Sequence, residues 1–132
     1  MSTSQKLRVA VIGVGAMGRN HARIYSELPG VELVGVVDAS AELAHAVALR
    51  TRCKAYTDYR VLLDEEHPDA VTVAVPTVHH LDVARAVIEQ GVHLLIEKPI
   101  AFSVEEGQQI IHAAETMGVR LAIGHVERFN PA

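Results

Sequence analysis

The sequence predicts an α/β fold, a doubly wound parallel sheet of about six strands in one domain that spans residues 1–132. The first observation is an alternation of short apolar runs with segments of helical pattern, which is typical of parallel strands joined by right-handed crossovers. The second is Val9–Gly18, where apolar residues lead directly into Gly13-x-Gly15-x-x-Gly18. A strand that is buried on both faces is expected to show such a continuous Val, Ile and Ala run.

The first half of the chain is predicted to contain three strands and three helices. The strands are Leu7–Ile12, Val31–Val37 and a short edge strand at Lys54–Tyr56. The helices cover Ala16–Leu28, residues 41–50 and a short segment that runs through Leu63 and Asp64. Ser40 is expected to cap the second helix, and Thr57 or Asp58 the third, because small polar side chains accept hydrogen bonds from the first turn.

The second half continues the alternation with three more strands and two more helices. The strands are Ala70–Val75, Val92–Glu97 and Val119–Ile123. The helices run from Thr77 to Gln90 and from Ser103 to Met117. Ser103 belongs to a Ser-x-x-Glu capping box, and Thr77 is the expected cap of the other helix. Gly91 and Gly118 are the expected left-handed residues that end the two helices.

The composition excludes several classes of function. The net charge of −4 argues against a nucleic-acid-binding or membrane-surface role, and aromatic residues, 4% of the chain, are too few for a base-stacking platform. The first residues lack the apolar core of a signal peptide, no apolar run could span a membrane, and the single Cys53 suits a reducing cytoplasm. Without an HExxH motif or a Cys/His cluster, no metal site is predicted.

The three glycines meet three different needs of a loop that binds a dinucleotide. Gly13 permits the tight turn out of the strand, Gly15 lets the backbone approach a pyrophosphate, and Gly18 lets the helix lie against the strand. Ala16 and Met17 open that helix, whose free N–H groups and positive dipole end favour phosphate. The strand order 3-2-1-4-5-6 would place the cofactor over the carboxyl ends of the first and fourth strands. The alternative is a tight strand-to-helix turn without a ligand.

Asp38 is the residue that selects the cofactor. It ends the second apolar run, twenty residues after Gly18. A carboxylate at this point accepts hydrogen bonds from the adenosine ribose hydroxyls and repels a 2′-phosphate. The next residues are Ala39 and Ser40 rather than an arginine, so NAD is predicted in preference to NADP. The alternative interpretation is an exposed aspartate in a turn.

Glu97-Lys98-Pro99 follows the fifth strand, at the end where a nicotinamide ring would lie. A lysine there could exchange a proton with a substrate hydroxyl beside the carbon that takes part in hydride transfer, and Glu97 could orient it. On spacing alone, a charged loop at a strand end is the competing interpretation. Whether the Lys98–Pro99 bond is cis or trans stays open.

Taken together, the motifs resemble the family of glucose-fructose oxidoreductase, inositol dehydrogenase and MocA (Gfo/Idh/MocA). The resemblance rests on GxGxMGxxHAR, VVD, a strand ending in Pro76 and Thr77 with His80 nearby, then EKP and GHxxRFxP. It covers Leu7 to Pro131, and it is specific because EKP follows the fifth strand of a GxGxxG domain. The tail from Gly124 to Pro131 looks most like the branch of nucleotide-sugar 3-dehydrogenases.

The resemblance implies a role for each matching residue in a Rossmann-type NAD-binding domain. The residues implied in holding NAD are Gly13, Gly15, Ala16, Met17, Gly18 and Asp38, and those implied on the nicotinamide side are Pro76, Thr77 and His80. Lys98 is the implied catalytic or substrate-positioning lysine, and Glu97 its orienting partner or a contact of the cofactor ribose. The residues implied at the junction with substrate are His125, Arg128 and Asn130. His21, part of the family pattern, is interpreted as a packing or polar-contact residue.

The resemblance also implies a second, substrate-binding domain, which is missing from these 132 residues. We therefore expect the cofactor domain of an oxidoreductase that transfers hydride between NAD(H) and a sugar, polyol or nucleotide-sugar hydroxyl. Alone, it should bind cofactor with little or no turnover, and its uncovered face should favour a homo-oligomer. Two alternatives stay open: a stand-alone NAD-binding module for redox sensing or partner docking, and a methyltransferase-like domain.

Overall fold

The computed structural model describes residues 5–124 and contains a six-stranded parallel sheet. The strands are β1 (Leu7–Ile12), β2 (Val31–Val37), β3 (Lys54–Tyr56), β4 (Ala70–Val73), β5 (His93–Glu97) and β6 (Leu121–Gly124). They are ordered β3-β2-β1-β4-β5-β6, and every neighbouring pair is parallel. The predicted fold class and strand order are both confirmed.

Five α-helices connect the strands within the described range. They are α1 (Ala16–Glu27), α2 (Ala41–Thr51), α3 (Tyr59–Glu66), α4 (His80–Glu89) and α5 (Val104–Met117). Ser40, Asp58 and Ser103 cap α2, α3 and α5, each accepting a hydrogen bond from a first-turn backbone N–H at 2.9 to 3.2 Å. Gly118 ends α5 in the left-handed conformation with a φ of 72°. These caps confirm the sequence prediction at three helices.

The largest difference from the predicted boundaries lies after β4. Pro76 holds an extended backbone, with φ −55° and ψ 148°, and is followed by a 3-10 turn at Thr77–His79. This turn redirects the chain, so α4 begins only at His80, and the prediction that Thr77 caps this helix is wrong. A smaller difference is that α3 continues past the predicted end to Glu66.

Each face of the sheet carries its own apolar core, because side chains alternate between the faces along every strand. The first core joins α1 and α2 to the sheet and includes Val9, Val11, Leu33, Val36, Ala22 and Val47. The second core joins α3, α4 and α5 to the opposite face and includes Ile12, Val37, Val73, Leu62, Ile88 and Ile110. This two-sided packing makes the sheet doubly wound and leaves the carboxyl ends of the strands along one edge.

An apolar groove lies on the sheet face that carries α1, towards the ends at which the strands begin. It has a volume of about 620 Å³, and its lining includes Tyr25, Thr72, Leu95 and Ala122. The groove crosses β1, β4, β5 and β6, away from the glycine-rich loop. It is therefore separate from the cofactor site predicted at the carboxyl edge.

Three further features bear on function. No helix between residues 5 and 124 combines the length and apolar character needed to cross a membrane. Within the same range, no three His, Cys, Asp or Glu side chains lie together in a way that could hold a metal ion. Cys53 is half-buried, and this burial raises the pKa of its thiol, which disfavours the reactive thiolate.

Candidate cofactor-binding site

The loop between β1 and α1 shows what each of its glycines permits. Gly13 has a φ of +94°, and a Cβ there would lie 2.7 Å from the carbonyl oxygen of Ala74. A Cβ on Gly18 would lie 1.7 Å from the carbonyl oxygen of Gly13, so a side chain would force α1 away from the loop. A Cβ on Gly15 would meet nothing within 4 Å. The loop thus combines a tight turn, a close helix contact and backbone that faces open space.

The N-terminus of α1 opens onto the same space. Gly15 is its N-cap, and no side chain of the described residues caps it, in contrast to α2, α3 and α5. Its first turn carries no acidic residue, and Gly15, Ala16 and Met17 are exposed. The unsatisfied N–H groups and the helix dipole can therefore act on an anion here.

Asp38 follows β2 and is half-buried beside the loop. One carboxylate oxygen accepts a hydrogen bond from the backbone N–H of Val14 at 3.1 Å, and the other accepts from that of Ser40 at 3.0 Å. Asp38 thereby fixes the glycine-rich loop against the end of β2. Each carboxylate oxygen has a second lone pair, so the group keeps the capacity to accept from a ligand hydroxyl.

These groups line a cleft of about 730 Å³, a volume typical of small-molecule sites. The cleft lies at the carboxyl ends of β1, β2 and β4, where the strand order reverses on either side of β1. The predicted site residues on its wall are Gly13, Gly15, Asp38 and Pro76. In doubly wound sheets, ligands bind in the crevice at this switch point.

His80 lies below this surface rather than on it. The residue is 1% exposed, and its ring nitrogens lie 3.0 Å from the carbonyl oxygen of Ile100 and 2.9 Å from that of Val75. It therefore braces the segment after β5 against the segment after β4. Buried polar side chains commonly take such partners from nearby backbone. The place of His80 at the nicotinamide side stays a prediction. Thr77, half-buried in the 3-10 turn, is not among the residues that line the cleft.

Glu97 and Lys98 lie at the end of β5, beyond the cleft. The Glu97 side chain is 12% exposed and pairs with Nε2 of His21, on α1. Lys98 is exposed, and the bond that joins it to Pro99 is cis. The sequence suggested a polar contact for His21, and the structure identifies Glu97 as its partner. The predicted substrate residues, His125, Arg128 and Asn130, lie outside the described residues.

Several residues that line the cleft carry no motif in the sequence. They include Thr57 and Tyr59, which follow β3, and His79 and Asp82, which follow β4. The two segments line one cleft only because the strand order β3-β2-β1-β4 brings the carboxyl ends of β3 and β4 to opposite sides of β2 and β1. Their place in the sequence, directly after predicted strands, could have identified them, since residues that follow parallel strands meet at the carboxyl ends of the sheet.

Comparisons with known proteins identify the family of this chain. Residues 7–125 match the Gfo/Idh/MocA model, described as an oxidoreductase family with an NAD-binding Rossmann fold. The chain is 43% identical to UDP-N-acetylglucosamine 3-dehydrogenase of Acidithiobacillus ferrooxidans, over 96% of this chain and 39% of that protein.

Two solved structures of relatives were determined with a bound dinucleotide. WlbA dehydrogenase from Bordetella pertussis, in complex with NADH and UDP-GlcNAcA, has a TM-score of 0.89 and 28% identity, over 96% of this chain and 39% of that one. GenD2 from gentamicin A biosynthesis, in complex with NAD, has a TM-score of 0.88 and 34% identity, over 94% of this chain and 36% of that one.

The match extends over nearly all of this chain but over a limited part of its relatives. The chain spans about two fifths of the length of the curated proteins that it matches. The resemblance inferred from GxGxxG and EKP is confirmed, and the expected cofactor, NAD, agrees with the family description. This chain therefore belongs to the Gfo/Idh/MocA oxidoreductase family, within its NAD-binding Rossmann fold.

Proposed function

We propose that this chain is the cofactor-binding part of a dehydrogenase that transfers hydride between NAD(H) and a hydroxyl of a sugar, polyol or nucleotide sugar. The main support is the cleft, where exposed glycine backbone, an uncapped helix end and a carboxylate come together. NAD supplies the nicotinamide carbon that accepts or donates the hydride. The described residues supply the surface that binds and orients it.

The residues present fit a dinucleotide. The open space at Gly15 and the uncapped turn after it suit a pyrophosphate, which would take hydrogen bonds from backbone N–H groups. Asp38 is placed to accept hydrogen bonds from ribose hydroxyls, because its oxygens are not saturated by their two backbone donors. Tyr59 and Pro76 offer apolar surface within the same cleft for a base.

The charge of the cleft favours NAD over NADP. Two carboxylates, Asp38 and Asp82, are among its lining residues, and those residues include no lysine or arginine. A 2′-phosphate on the adenosine ribose would lie beside the Asp38 carboxylate, which would repel it. NAD, which has a neutral hydroxyl at this position, meets no such repulsion.

Lys98 is proposed as the proton donor or acceptor for the substrate hydroxyl. It is exposed and follows β5 at the same edge of the sheet as the cleft. An alcohol must lose its O–H proton as its carbon loses hydride, and a lysine amine can accept that proton or return it in the reverse direction. The family resemblance adds His125, Arg128 and Asn130 as proposed substrate contacts.

A nucleotide sugar is the favoured substrate class, because relatives include a UDP-N-acetylglucosamine 3-dehydrogenase and an enzyme solved with UDP-GlcNAcA. The chain covers 39% of the first of these.

For the 132 residues themselves, we propose that they bind NAD without steady turnover, and that they do so in the cytoplasm. Hydride transfer needs both reactants held in near-attack geometry, and binding the cofactor meets only half of that need.

Isothermal titration calorimetry tests the cofactor proposal. Wild type is expected to bind NAD with measurable heat and to bind NADP about 10-fold more weakly or worse. Asp38→Ala should weaken NAD binding by about 10-fold, through loss of the ribose acceptor and of the bond that holds the loop. Asp64→Ala is the control, because it removes an exposed carboxylate outside the cleft. Folded wild type that gives no heat with NAD would contradict the proposal.

A second candidate is an NAD-binding module that associates with another copy of itself and reports redox state. The observation that favours it is the apolar groove of about 620 Å³ on the α1 face. This alternative predicts a homo-oligomer whose stability differs between NAD⁺ and NADH. Light scattering with each form of the cofactor tests it, and an equal mass in both states would contradict redox sensing.

A further inference from the structure

We infer that His21 is a positioning residue: through Glu97 it fixes the strand end that carries Lys98, and with it the nicotinamide half of the cofactor site. This inference rests on the proposed function, because it assigns a task within the same site. His21 lies on α1, whose N-terminus faces the phosphate space, and Glu97 ends β5. The pair thus joins the element proposed to hold the pyrophosphate to the element that leads into the lysine.

The contacts of His21 hold its ring in one place. Its Nε2 donates to a Glu97 carboxylate oxygen, since an ionised carboxylate can only accept. Its ring stacks on Tyr25, one helical turn further along α1, with centroids 6.0 Å apart and planes 27° from parallel. The Tyr25 hydroxyl in turn lies 2.7 Å from the Thr72 hydroxyl on β4. The histidine is therefore fixed relative to the central strands.

The carboxylate of Glu97 lies close against Gly124. The two residues face each other in the β5–β6 register, and a Cβ on Gly124 would lie 3.0 Å from a Glu97 carboxylate oxygen. The side chains of His21 and Glu97 are 18% and 12% exposed, so the pair is shielded from water. Its interaction is accordingly stronger than that of a surface pair.

The contact between His21 and Glu97 also limits how far Lys98 can move. Rotation of the end of β5 would move Lys98 relative to the glycine-rich loop, and the His21 contact on Glu97 opposes that rotation. A role limited to folding would weaken the binding of every ligand by the same factor. A positioning role weakens only ligands that reach the end of β5, which separates the two interpretations by experiment.

The test compares the dissociation constants of NAD and ADP by calorimetry. ADP carries the adenosine and phosphates but lacks the nicotinamide half. His21→Leu is expected to weaken NAD binding about 10-fold while changing ADP binding less than about 2-fold. His21→Gln, which keeps a donor, should recover most of the NAD affinity. His112→Leu, a change at an exposed histidine on α5, should alter neither.

Glu97→Leu, which removes the acceptor, provides a second route if His21→Leu does not fold, and it should show the same selective loss of NAD affinity. Equal weakening of NAD and ADP, or no change in either, would overturn the positioning role. Absence of NAD binding in the folded wild type would instead overturn the proposed function. Wild type that binds NAD while every variant keeps the wild-type NAD-to-ADP ratio would refute this inference alone.

Discussion

Carboxylates have opposite roles at the two ends of the parallel strands: the amino edge, where the strands begin, and the carboxyl edge, where they finish. Towards the amino edge, Glu66 at the end of α3 is only 8% exposed. It accepts a hydrogen bond from the Tyr56 hydroxyl at 2.8 Å and forms ion pairs with Arg8 at 3.0 Å and Lys54 at 3.2 Å. At the carboxyl edge, Asp38 accepts from two backbone N–H groups and faces the cleft.

The contacts at the amino edge shift the pKa values of Glu66 and Tyr56. Burial acts to raise the pKa of Glu66, but the hydrogen bonds from Tyr56 and Lys54 and the positive charge of Arg8 outweigh it and hold the pKa below its ordinary value. Burial and the Glu66 carboxylate raise the pKa of the Tyr56 phenol. Polar groups at the amino edge thus stabilise the fold, whereas those at the carboxyl edge retain capacity for a ligand. Stability and cofactor binding should therefore respond to different substitutions.

Gly18→Ala is expected to have the largest effect, because it damages both properties. Its Cβ would lie 1.7 Å from the carbonyl oxygen of Gly13, so α1 must move. We expect a loss of about 3 kcal/mol or more in the free energy of unfolding and no detectable NAD binding. Urea denaturation and calorimetry measure the two quantities. Gly107→Ala is the matched control, since its Cβ would meet Ile100 at an ordinary 3.4 Å and should leave both near wild type.

Gly15→Asp should separate the two properties. The residue has a φ of −67° and open space around its Cβ position, so aspartate fits and can cap α1. The free energy of unfolding should stay constant or rise by a few tenths of a kcal/mol. NAD affinity should fall about 100-fold or more, because a carboxylate then occupies the phosphate space. Retention of NAD affinity would show that the pyrophosphate binds elsewhere.

Glu66→Gln, at the amino edge, should lower stability and leave NAD affinity unchanged, which is the reverse of the result expected for Gly15→Asp. It keeps the size of the side chain but removes the charge that Arg8 and Lys54 face, so we expect a loss of about 2 kcal/mol in the free energy of unfolding. NAD affinity should be unchanged, since Glu66 is not among the residues that line the cleft. Glu89→Gln, at an exposed position on α4, is the control. A comparable loss of NAD affinity would mean that the two edges are coupled.

The same contrast explains what the sequence could predict. The tight turn at Gly13, the close helix contact at Gly18 and the carboxylate of Asp38 beside the loop could be predicted from the sequence. Such a loop between consecutive elements is encoded locally, by residue type and spacing. The cap at Ser103, and a cap at either Thr57 or Asp58, were predicted for the same reason, because each acts within its own first turn; the structure selects Asp58. The parallel sheet followed from runs that alternate with helices over the whole chain.

Contacts between distant segments left no such signal. Glu66 meets Arg8, 58 residues away, and Glu97 meets His21, 76 residues away. No spacing rule relates these positions, because each pair joins two elements that come within reach of each other only in the folded chain. His80 illustrates the same limit, since its burial depends on carbonyl groups from two loops that only the folded sheet brings together.

The pH dependence of stability should show the smallest effect. Because the pKa of Glu66 is lower in the folded than in the unfolded chain, the unfolded state binds its proton more tightly. The stabilisation is complete above the ordinary pKa of 4.5 and is lost as the pH falls through the folded-state value. Urea denaturation from pH 7 downwards should therefore show a steeper decline below about pH 4.5 for wild type than for Glu66→Gln. Parallel declines would contradict this assignment, since both proteins share every other carboxylate, including Asp38.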